Sequence, residues 1–177
     1  MKGNFAACLA FDERKDIEGG NDDDPQDHGG RTSRGITQTE YNAWQFLHKA
    51  PEADVWKAPQ ETIDAIYEHS YWQPYCDMLP PGVDLMYFDT AVNEGARKAV
   101  LFLQRGLEIN DDGHFGIVTA ASVRKVGQDP AFAKVLIRKI ADERRADYRR
   151  NRQFRRYGKG WLARVGKCET AALSMVA

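Results

Sequence analysis

The sequence has no long hydrophobic run. The only early apolar run covers residues 5–11, well short of the roughly 18 apolar residues that a membrane-spanning helix needs. Charged residues follow this run at once, without a cleavage site of the kind that ends a secretory signal. We therefore expect a chain that is made in the cytoplasm and carries no membrane anchor.

Cysteine and histidine are also scarce. The three cysteines, Cys8, Cys76 and Cys168, are odd in number and far apart, which fits neither a disulfide framework nor a zinc site. The four histidines have no metal-ligand spacing, and no serine, histidine and aspartate occur in an order typical of a peptidase. The sequence therefore predicts neither a metal nor an organic cofactor.

Charge is abundant but unevenly distributed. The net charge is −1, yet residues 1–133 contain 12 basic and 22 acidic side chains, whereas residues 134–167 contain 13 basic and 3 acidic ones. Such a split indicates either an internal electrostatic match or a basic surface for an anionic partner.

The pattern of apolar residues predicts a mainly α protein, because almost no segment alternates strictly. We expect a first helix over residues 4–18, followed by a loop or short irregular β-hairpin over residues 21–34. A capping box at Thr37 and Glu40 starts the next helix. Further helices are predicted over 61–71, 83–106 and 119–125, and from Asp129-Pro130 to about residue 151.

Glu18 is the clearest candidate for acid catalysis. A predicted helix end carries negative partial charge, and aspartates follow closely, so the carboxyl group could stay protonated near neutral pH. A protonated carboxyl group is what glycosidic bond cleavage requires of its general acid. The same composition also suits an ordinary helix end with an acidic loop, and a calcium loop is a further alternative that lacks the expected ligand spacing.

A longer pattern extends beyond Glu18. It resembles the opening signature of glycoside hydrolase family 108, a family of lysozyme-like muramidases that includes proteins described as secretion activators. The resemblance covers roughly residues 11–165, and its second half resembles a predicted peptidoglycan-binding region. The residues that carry it are Glu18-Gly19-Gly20, Asp24-Pro25, Asp27, Gly29-Gly30, Thr32, Gly35-Ile36-Thr37, Tyr71-Trp72, Leu79-Pro80, Phe88-Asp89, Ala91-Val92-Asn93, Asp112-Gly113 and Gly160-Trp161-Leu162.

This resemblance implies a single lysozyme-like, mainly α domain, with a catalytic segment in residues 1–80 and a helical lobe in residues 81–177. It implies that Glu18 is the general acid in hydrolysis of the β-1,4 bond between N-acetylmuramic acid and N-acetylglucosamine. Asp27 and Thr32 would hold the attacking water; Asp27 follows Glu18 by nine positions, as in phage lysozymes, and Thr32 comes one position earlier than in that group.

Four other residues are candidates for substrate contact. Tyr71 and Trp72 belong to an aromatic cluster that either packs in the core or lines a glycan groove. Asp89 and Asn93 are four residues apart on a largely apolar helix. Because polar groups there need partners or a cleft, they either form a structural hydrogen-bond network or contact substrate.

The dense basic stretch between Arg144 and Arg156 favours a partly solvated helix face first, an anionic envelope polymer or phospholipid second, and nucleic acid third. We expect a monomer that acts on the cell wall, in the periplasm, after release or export. Two rivals to the muramidase remain: a non-catalytic peptidoglycan-binding secretion accessory protein, and a lytic transglycosylase acting on the same bond.

Overall fold

The computed structural model describes residues 3–17, 20–23 and 30–177. Within these ranges, eight α-helices and one small antiparallel sheet make up most of the regular structure, which confirms the mainly α fold class. None of these helices combines the length and the apolar character that crossing a bilayer requires. The helices are α1 (Phe5–Asp12), α2 (Gln38–Leu47), α3 (Gln60–Tyr67), α4 (Val83–Glu94), α5 (Ala96–Gly106), α6 (Ile117–Val126), α7 (Pro130–Arg150) and α8 (Phe154–Ser174).

The chain divides into two densely packed units. The N-terminal unit is Leu9–Tyr71, and the C-terminal unit is Trp72–Ala177 together with the start of the chain up to Cys8. This boundary reflects packing alone. The functional division between residues 1–80 and 81–177 therefore stays a prediction.

Helix α1 is shorter than the sequence predicts. It ends at Asp12, and the chain continues through turns to Ile17, whose amide donates to the carbonyl of Arg14 at 2.8 Å. The charged residues from Asp12 to Asp16 offer no apolar side chain that could hold a further helical turn against a core. The helix predicted over residues 4–18 is thus too long at its C-terminal end, and Glu18 itself lies outside the described residues.

The sheet of the N-terminal unit follows α1 in the chain. The predicted hairpin region does form paired strands, but a third strand, which the sequence did not predict, completes the sheet. The strands are ordered β1-β2-β3 and are all antiparallel, with β1 at Asn21–Asp22, β2 at Thr32–Ser33 and β3 at Ile36–Thr37.

A tight turn at Arg34 and Gly35 joins β2 to β3. Both residues have positive φ, 49° and 78°, as a two-residue type I′ hairpin requires. Arg34 tolerates this conformation because its guanidinium donates to the carbonyl of Ala58 at 2.7 Å and to Gln60 at 2.6 Å. Its own carbonyl accepts the hydroxyl of Tyr67 at 2.7 Å. The turn is thus fixed against the helical part of its unit.

Helix α2 begins as predicted. Thr37 is its N-cap, and the reciprocal bonds of the capping box with Glu40 are both present. The helix predicted over residues 61–71 starts one residue earlier and ends at Tyr67, after which Glu68–Trp72 forms a π-helical turn. A 3₁₀ turn at Val55–Lys57 lies between α2 and α3 and contacts β2.

Helix α4 forms the centre of the C-terminal unit and packs against α5, α7 and α8. Its first nine residues, from Val83 to Ala91, are all buried. The sequence predicted one helix over residues 83–106, but Gly95, with φ of 91°, breaks it into α4 and α5. Only glycine adopts this backbone conformation readily, so the break is fixed by the sequence.

Helices α7 and α8, each of 21 residues, pack against each other and complete this unit. Asp129 caps α7 by accepting the amide of Ala131 at 2.8 Å, and Pro130 occupies the first turn, as predicted. The sequence analysis missed α8. Its buried residues Val165, Cys168 and Ala172 recur at spacings of three and four, which is the period of an amphipathic helix.

Candidate active site

Thr32 is the one predicted catalytic residue that the structure describes; Glu18 and Asp27 lie outside the described residues. Thr32 is half-buried in β2, where it pairs with Asp22 on one side and Thr37 on the other. Its carbonyl accepts the indole N–H of Trp56 at 2.8 Å. The backbone of Thr32 is therefore fixed from both edges, which gives its side chain a defined position.

Along the sequence, the other two catalytic candidates are neighbours of strands β1 and β2. Two residues, Gly19 and Gly20, separate Glu18 from β1, and Asp27 belongs to the connection between β1 and β2. The carbonyl of Gly20 accepts the amide of Arg34 at 3.0 Å, so the sheet hydrogen bonding begins immediately after the Glu18 segment.

A cluster that the sequence analysis missed adjoins Thr32. The guanidinium of Arg31 donates to both carboxylate oxygens of Asp54, at 3.0 and 2.8 Å, and lies 3.4 Å above the ring of Trp56. It also donates to Asp23 at 3.3 Å. We call Arg31, Asp54 and Trp56, with Asp23, the Arg31 cluster. Hydrogen bonding from Arg31 lowers the pKa of Asp54, with help from the amide of Trp56.

The Arg31 cluster forms a polar wall with an aromatic face rather than an anion receptor, because two carboxylates already neutralise Arg31. Trp56 remains 38% exposed. An exposed indole beside a catalytic candidate suits stacking against a sugar ring. The sequence signal was weak: Asp54 precedes Trp56 as the cap of a 3₁₀ turn, but its partner Arg31 is 23 residues away.

Tyr71 is half-buried at the end of the N-terminal unit. Its hydroxyl donates to Glu40, which also accepts the side-chain hydroxyl of Thr37 at 2.9 Å, and its ring lies 5.8 Å from that of Tyr67. These contacts orient the ring while leaving part of it accessible. Substrate contact by Tyr71 stays a prediction.

Trp72 does not fit the predicted substrate contact. It is 2% exposed, its ring makes edge contacts with Phe5 and Phe88, and its indole N–H donates to Asp77 at 3.0 Å. A side chain enclosed in this way cannot stack on a glycan. The alternative interpretation as a core aromatic is the one that the structure supports.

Asp89 likewise does not fit direct substrate contact. It is fully buried, and its two carboxylate oxygens accept from Arg144 at 2.5 Å and from Arg164 at 2.8 Å. Arg144 in turn donates to Glu94 at 3.1 Å. The buried ion network that joins α4, α7 and α8 thus consists of Asp89, Glu94, Arg144 and Arg164. Of the two alternatives for Asp89, substrate contact or a structural hydrogen-bond network, the structure supports the network.

Within the buried ion network, each charged group changes the pKa values of its neighbours. Burial, the largest single effect, lowers the pKa of Arg144, but the combined charges of Asp89, Glu94 and the other acidic groups around it outweigh burial, so the pKa lies well above its ordinary value. Burial raises the pKa of Glu94, and the charge of Arg144 offsets only part of this effect. The network is therefore part of the folded core and not a proton-transfer site.

Asn93 differs from Asp89, because it is exposed on α4 and accepts the hydroxyl of Tyr148. Substrate contact by Asn93 stays a prediction.

The basic stretch from Arg144 to Arg156 separates into two parts. Arg144 is buried in the ion network, and Arg145 pairs with Asp142 at 3.0 Å and with Glu169. The remaining arginines lie around the α7–α8 connection and are exposed; we call them the basic tip, Arg149, Arg150, Arg152, Arg155 and Arg156. Within the stretch from Arg144 to Arg156, the basic tip is the part that is exposed to an anionic partner.

Across the described ranges, no group of histidine, cysteine, aspartate or glutamate side chains is arranged to hold a metal ion. The carboxylates of the Arg31 cluster are engaged by their arginine.

The mainly α architecture, with a small sheet between the first two helices, is that of a lysozyme-like protein. A model of the glycosyl hydrolase 108 family matches residues 12–95. The structure is similar to that of SagA from Brucella abortus, with a TM-score of 0.86 and 34% sequence identity, over 99% of this chain and 97% of that chain. Comparison with curated proteins gave no match.

The chain therefore belongs to the glycosyl hydrolase 108 family, which confirms the resemblance found in the sequence. The matched residues include the Glu18-Gly19-Gly20 motif, the sheet and the Arg31 cluster. The protein is accordingly a peptidoglycan-related, lysozyme-like protein of a glycoside hydrolase kind.

Proposed function

We propose that the protein is a muramidase that hydrolyses the β-1,4 bond between N-acetylmuramic acid and N-acetylglucosamine in peptidoglycan. The observation that carries this proposal is the family match over residues 12–95, which contains the Glu18-Gly19-Gly20 motif. The likeness to a solved structure along almost the whole chain supports the same fold around that motif.

In this reaction Glu18 donates a proton to the glycosidic oxygen as the bond to the muramic acid carbon breaks. A water molecule adds its oxygen to that carbon and loses a proton to Asp27. Glu18 is then deprotonated and Asp27 protonated, and proton exchange with solvent restores both groups for the next cycle. Thr32 orients the water through its side-chain hydroxyl. Its fixed position in β2, directly after the connection that contains Asp27, supports this role.

The Arg31 cluster supplies a wall for the glycan. Trp56 offers an aromatic face, and Arg31 holds the ring in place from one side at 3.4 Å. Tyr71 is the further aromatic contact in the proposal, since Glu40 fixes its hydroxyl and part of its ring is accessible. No metal or organic cofactor takes part in this mechanism.

The protein acts as a monomer on the cell wall, which it reaches after release or export. The basic tip provides an electrostatic attraction to anionic envelope polymer or phospholipid, since most of its arginines extend into solvent. Nucleic acid is the competing anion, and salt-dependent binding to vesicles of anionic phospholipid compared with DNA distinguishes the two.

The decisive experiment is digestion of purified peptidoglycan by wild type, Glu18→Gln and Glu61→Gln. Glu61 is an exposed glutamate in the first turn of α3 and serves as the matched control. General acid catalysis contributes roughly 100-fold to 10,000-fold, so Glu18→Gln should abolish detectable lysis whereas Glu61→Gln should not change it.

Product mass separates the rival functions. Hydrolysis leaves a reducing muramic acid end, whereas a lytic transglycosylase leaves an anhydro sugar. A non-catalytic accessory protein would release no fragments and would bind peptidoglycan equally well with either glutamate replaced. Lysis by Glu18→Gln at the wild-type rate would overturn the assignment.

A further inference from the structure

A groove in the C-terminal unit is separate from the candidate catalytic residues. Its volume is about 470 Å³, within the range of roughly 300–1,000 Å³ that small-ligand sites occupy. One wall is aromatic: the rings of Tyr75 and Phe115 stack with centroids 4.3 Å apart. Ala96 and Val100 of α5 add apolar surface, and Arg97 and His114 supply polar groups.

The loop between α5 and α6, which lines this groove, is held in place by a buried side chain. Gln104, buried at 1% exposure, donates from its amide nitrogen to Asp112 at 2.8 Å and to the carbonyl of His114 at 3.0 Å. Its amide oxygen accepts the backbone N–H of Gly113 at 2.9 Å. One buried side chain therefore holds the loop from inside, so that Phe115 and His114 are presented in fixed positions.

Arg97 is the exposed cation of the groove. No hydrogen bond or ion pair joins its side chain to any described residue. Its stem passes close to Gly113, where an added Cβ would lie 3.3 Å from both Cγ and Nε of Arg97. The nearby carboxylates are engaged elsewhere: Asp111 pairs with Arg105 at 2.7 Å, and Asp112 accepts from Gln104 and from the amide of His114 at 2.8 Å.

We infer that this groove binds a peptide that carries a free carboxylate. An arginine without a counter-ion, beside an apolar aromatic wall, recognises a carboxylate flanked by small apolar groups. A neutral N-acetyl sugar gives Arg97 nothing to neutralise. That the natural ligand is the stem peptide of peptidoglycan rests on the proposed function; the carboxylate specificity itself does not.

Binding of a synthetic stem tripeptide to the full-length protein, followed by calorimetry or NMR titration, tests this inference. The matched probe is the same tripeptide with all carboxylates amidated. Arg97→Gln should weaken binding of the free tripeptide about tenfold, as expected for loss of one charge-assisted hydrogen-bonded contact. Arg138→Gln, at an exposed arginine of α7, should leave it unchanged.

Wild type should bind the amidated tripeptide about as weakly as Arg97→Gln binds the free one, and Arg97→Gln should not distinguish the two probes. Equal affinity of wild type for both probes would overturn the inference. So would binding of peptide-free N-acetylglucosamine oligomers in the groove with an affinity indifferent to Arg97→Gln, since the groove would then be a glycan subsite.

Hydrolysis assays keep this inference distinct from the muramidase proposal. On intact peptidoglycan, Arg97→Gln should raise KM and leave kcat the same, whereas Glu18→Gln should abolish turnover. If Glu18→Gln retained full activity, the muramidase assignment would fail while the tripeptide titration would still decide the groove.

Discussion

Replacing Asp89 by asparagine removes the carboxylate that pairs with both Arg144 and Arg164 in the buried ion network. Asp89 and Arg144 are each fully buried, and Arg164 is 8% exposed. Asparagine keeps the shape of the side chain but turns an N–H₂ group toward one of the two guanidinium groups. The variant therefore removes the negative charge that faces both Arg144 and Arg164.

The expected loss follows from this geometry. Breaking a buried, hydrogen-bonded ion pair from one side costs about 3–5 kcal/mol in the free energy of unfolding. For a domain of this size each kcal/mol shifts the Tm by about 2–4 °C, so Asp89→Asn should lower the Tm by roughly 6–20 °C. Such a loss is large against a total stability of about 5–15 kcal/mol.

Thermal unfolding followed by circular dichroism and calorimetry measures this shift. Asp111→Asn is the matched control, because Asp111 pairs with Arg105 at the surface and both side chains are more than a third exposed. Exposed ion pairs of this kind contribute little to stability, so the control should have the same Tm as the wild type. A Tm for Asp89→Asn that equals the control would refute the claim that this network holds α4, α7 and α8 together.

Three further predictions concern the C-terminal unit. Gly82→Ala should lower the free energy of unfolding in urea by more than Gly95→Ala does. Both glycines have positive φ, which costs roughly 1–3 kcal/mol for alanine, but at Gly82 the new Cβ would also collide with the carbonyl of Ala172. Because burial raises the pKa of Glu94, the folded protein binds its proton more tightly than the unfolded chain. The contribution of Glu94 to stability therefore falls as the pH rises above about 4.5, and Glu94→Gln should remove this contribution from the dependence of the Tm on pH. Thiol reagents should modify no cysteine in the folded protein and three after unfolding, since all are buried and burial raises the pKa of Cys76; rapid modification of the folded protein would contradict this.

Local signals in the sequence were sufficient for several elements. The capping box at Thr37 and Glu40 and the Asp129-Pro130 start of α7 depend on residues within four positions of one another, and both were confirmed. The end of α1 depends on whether its next turn finds a surface to pack against, which the helical pattern alone does not reveal. The break between α4 and α5 could have been recognised, because Gly95 stands inside an otherwise continuous helical pattern of apolar residues.

The candidate site was predictable where residues form a contiguous motif and not where they meet through folding. Glu18-Gly19-Gly20 is readable in the sequence, whereas Arg31 reaches Asp54 across 23 residues and Asp89 reaches Arg144 across 55. Spacing on one helix suggested that Asp89 needed either partners or a cleft. It could not decide between them, because the deciding arginines come from α7 and α8.

The uneven charge along the chain likewise could not be interpreted until the folded contacts of each arginine were known. Two explanations were open, an internal match or a basic surface, and the structure contains both. Arg144 and Arg164 are buried and neutralise acidic residues of the first 133 positions, namely Asp89 and Glu94. The arginines of the basic tip remain on the surface of the α7–α8 connection. Since burial and not sequence position separates the two groups, substitutions in the first should change stability, whereas substitutions in the second should change only association with anionic polymers.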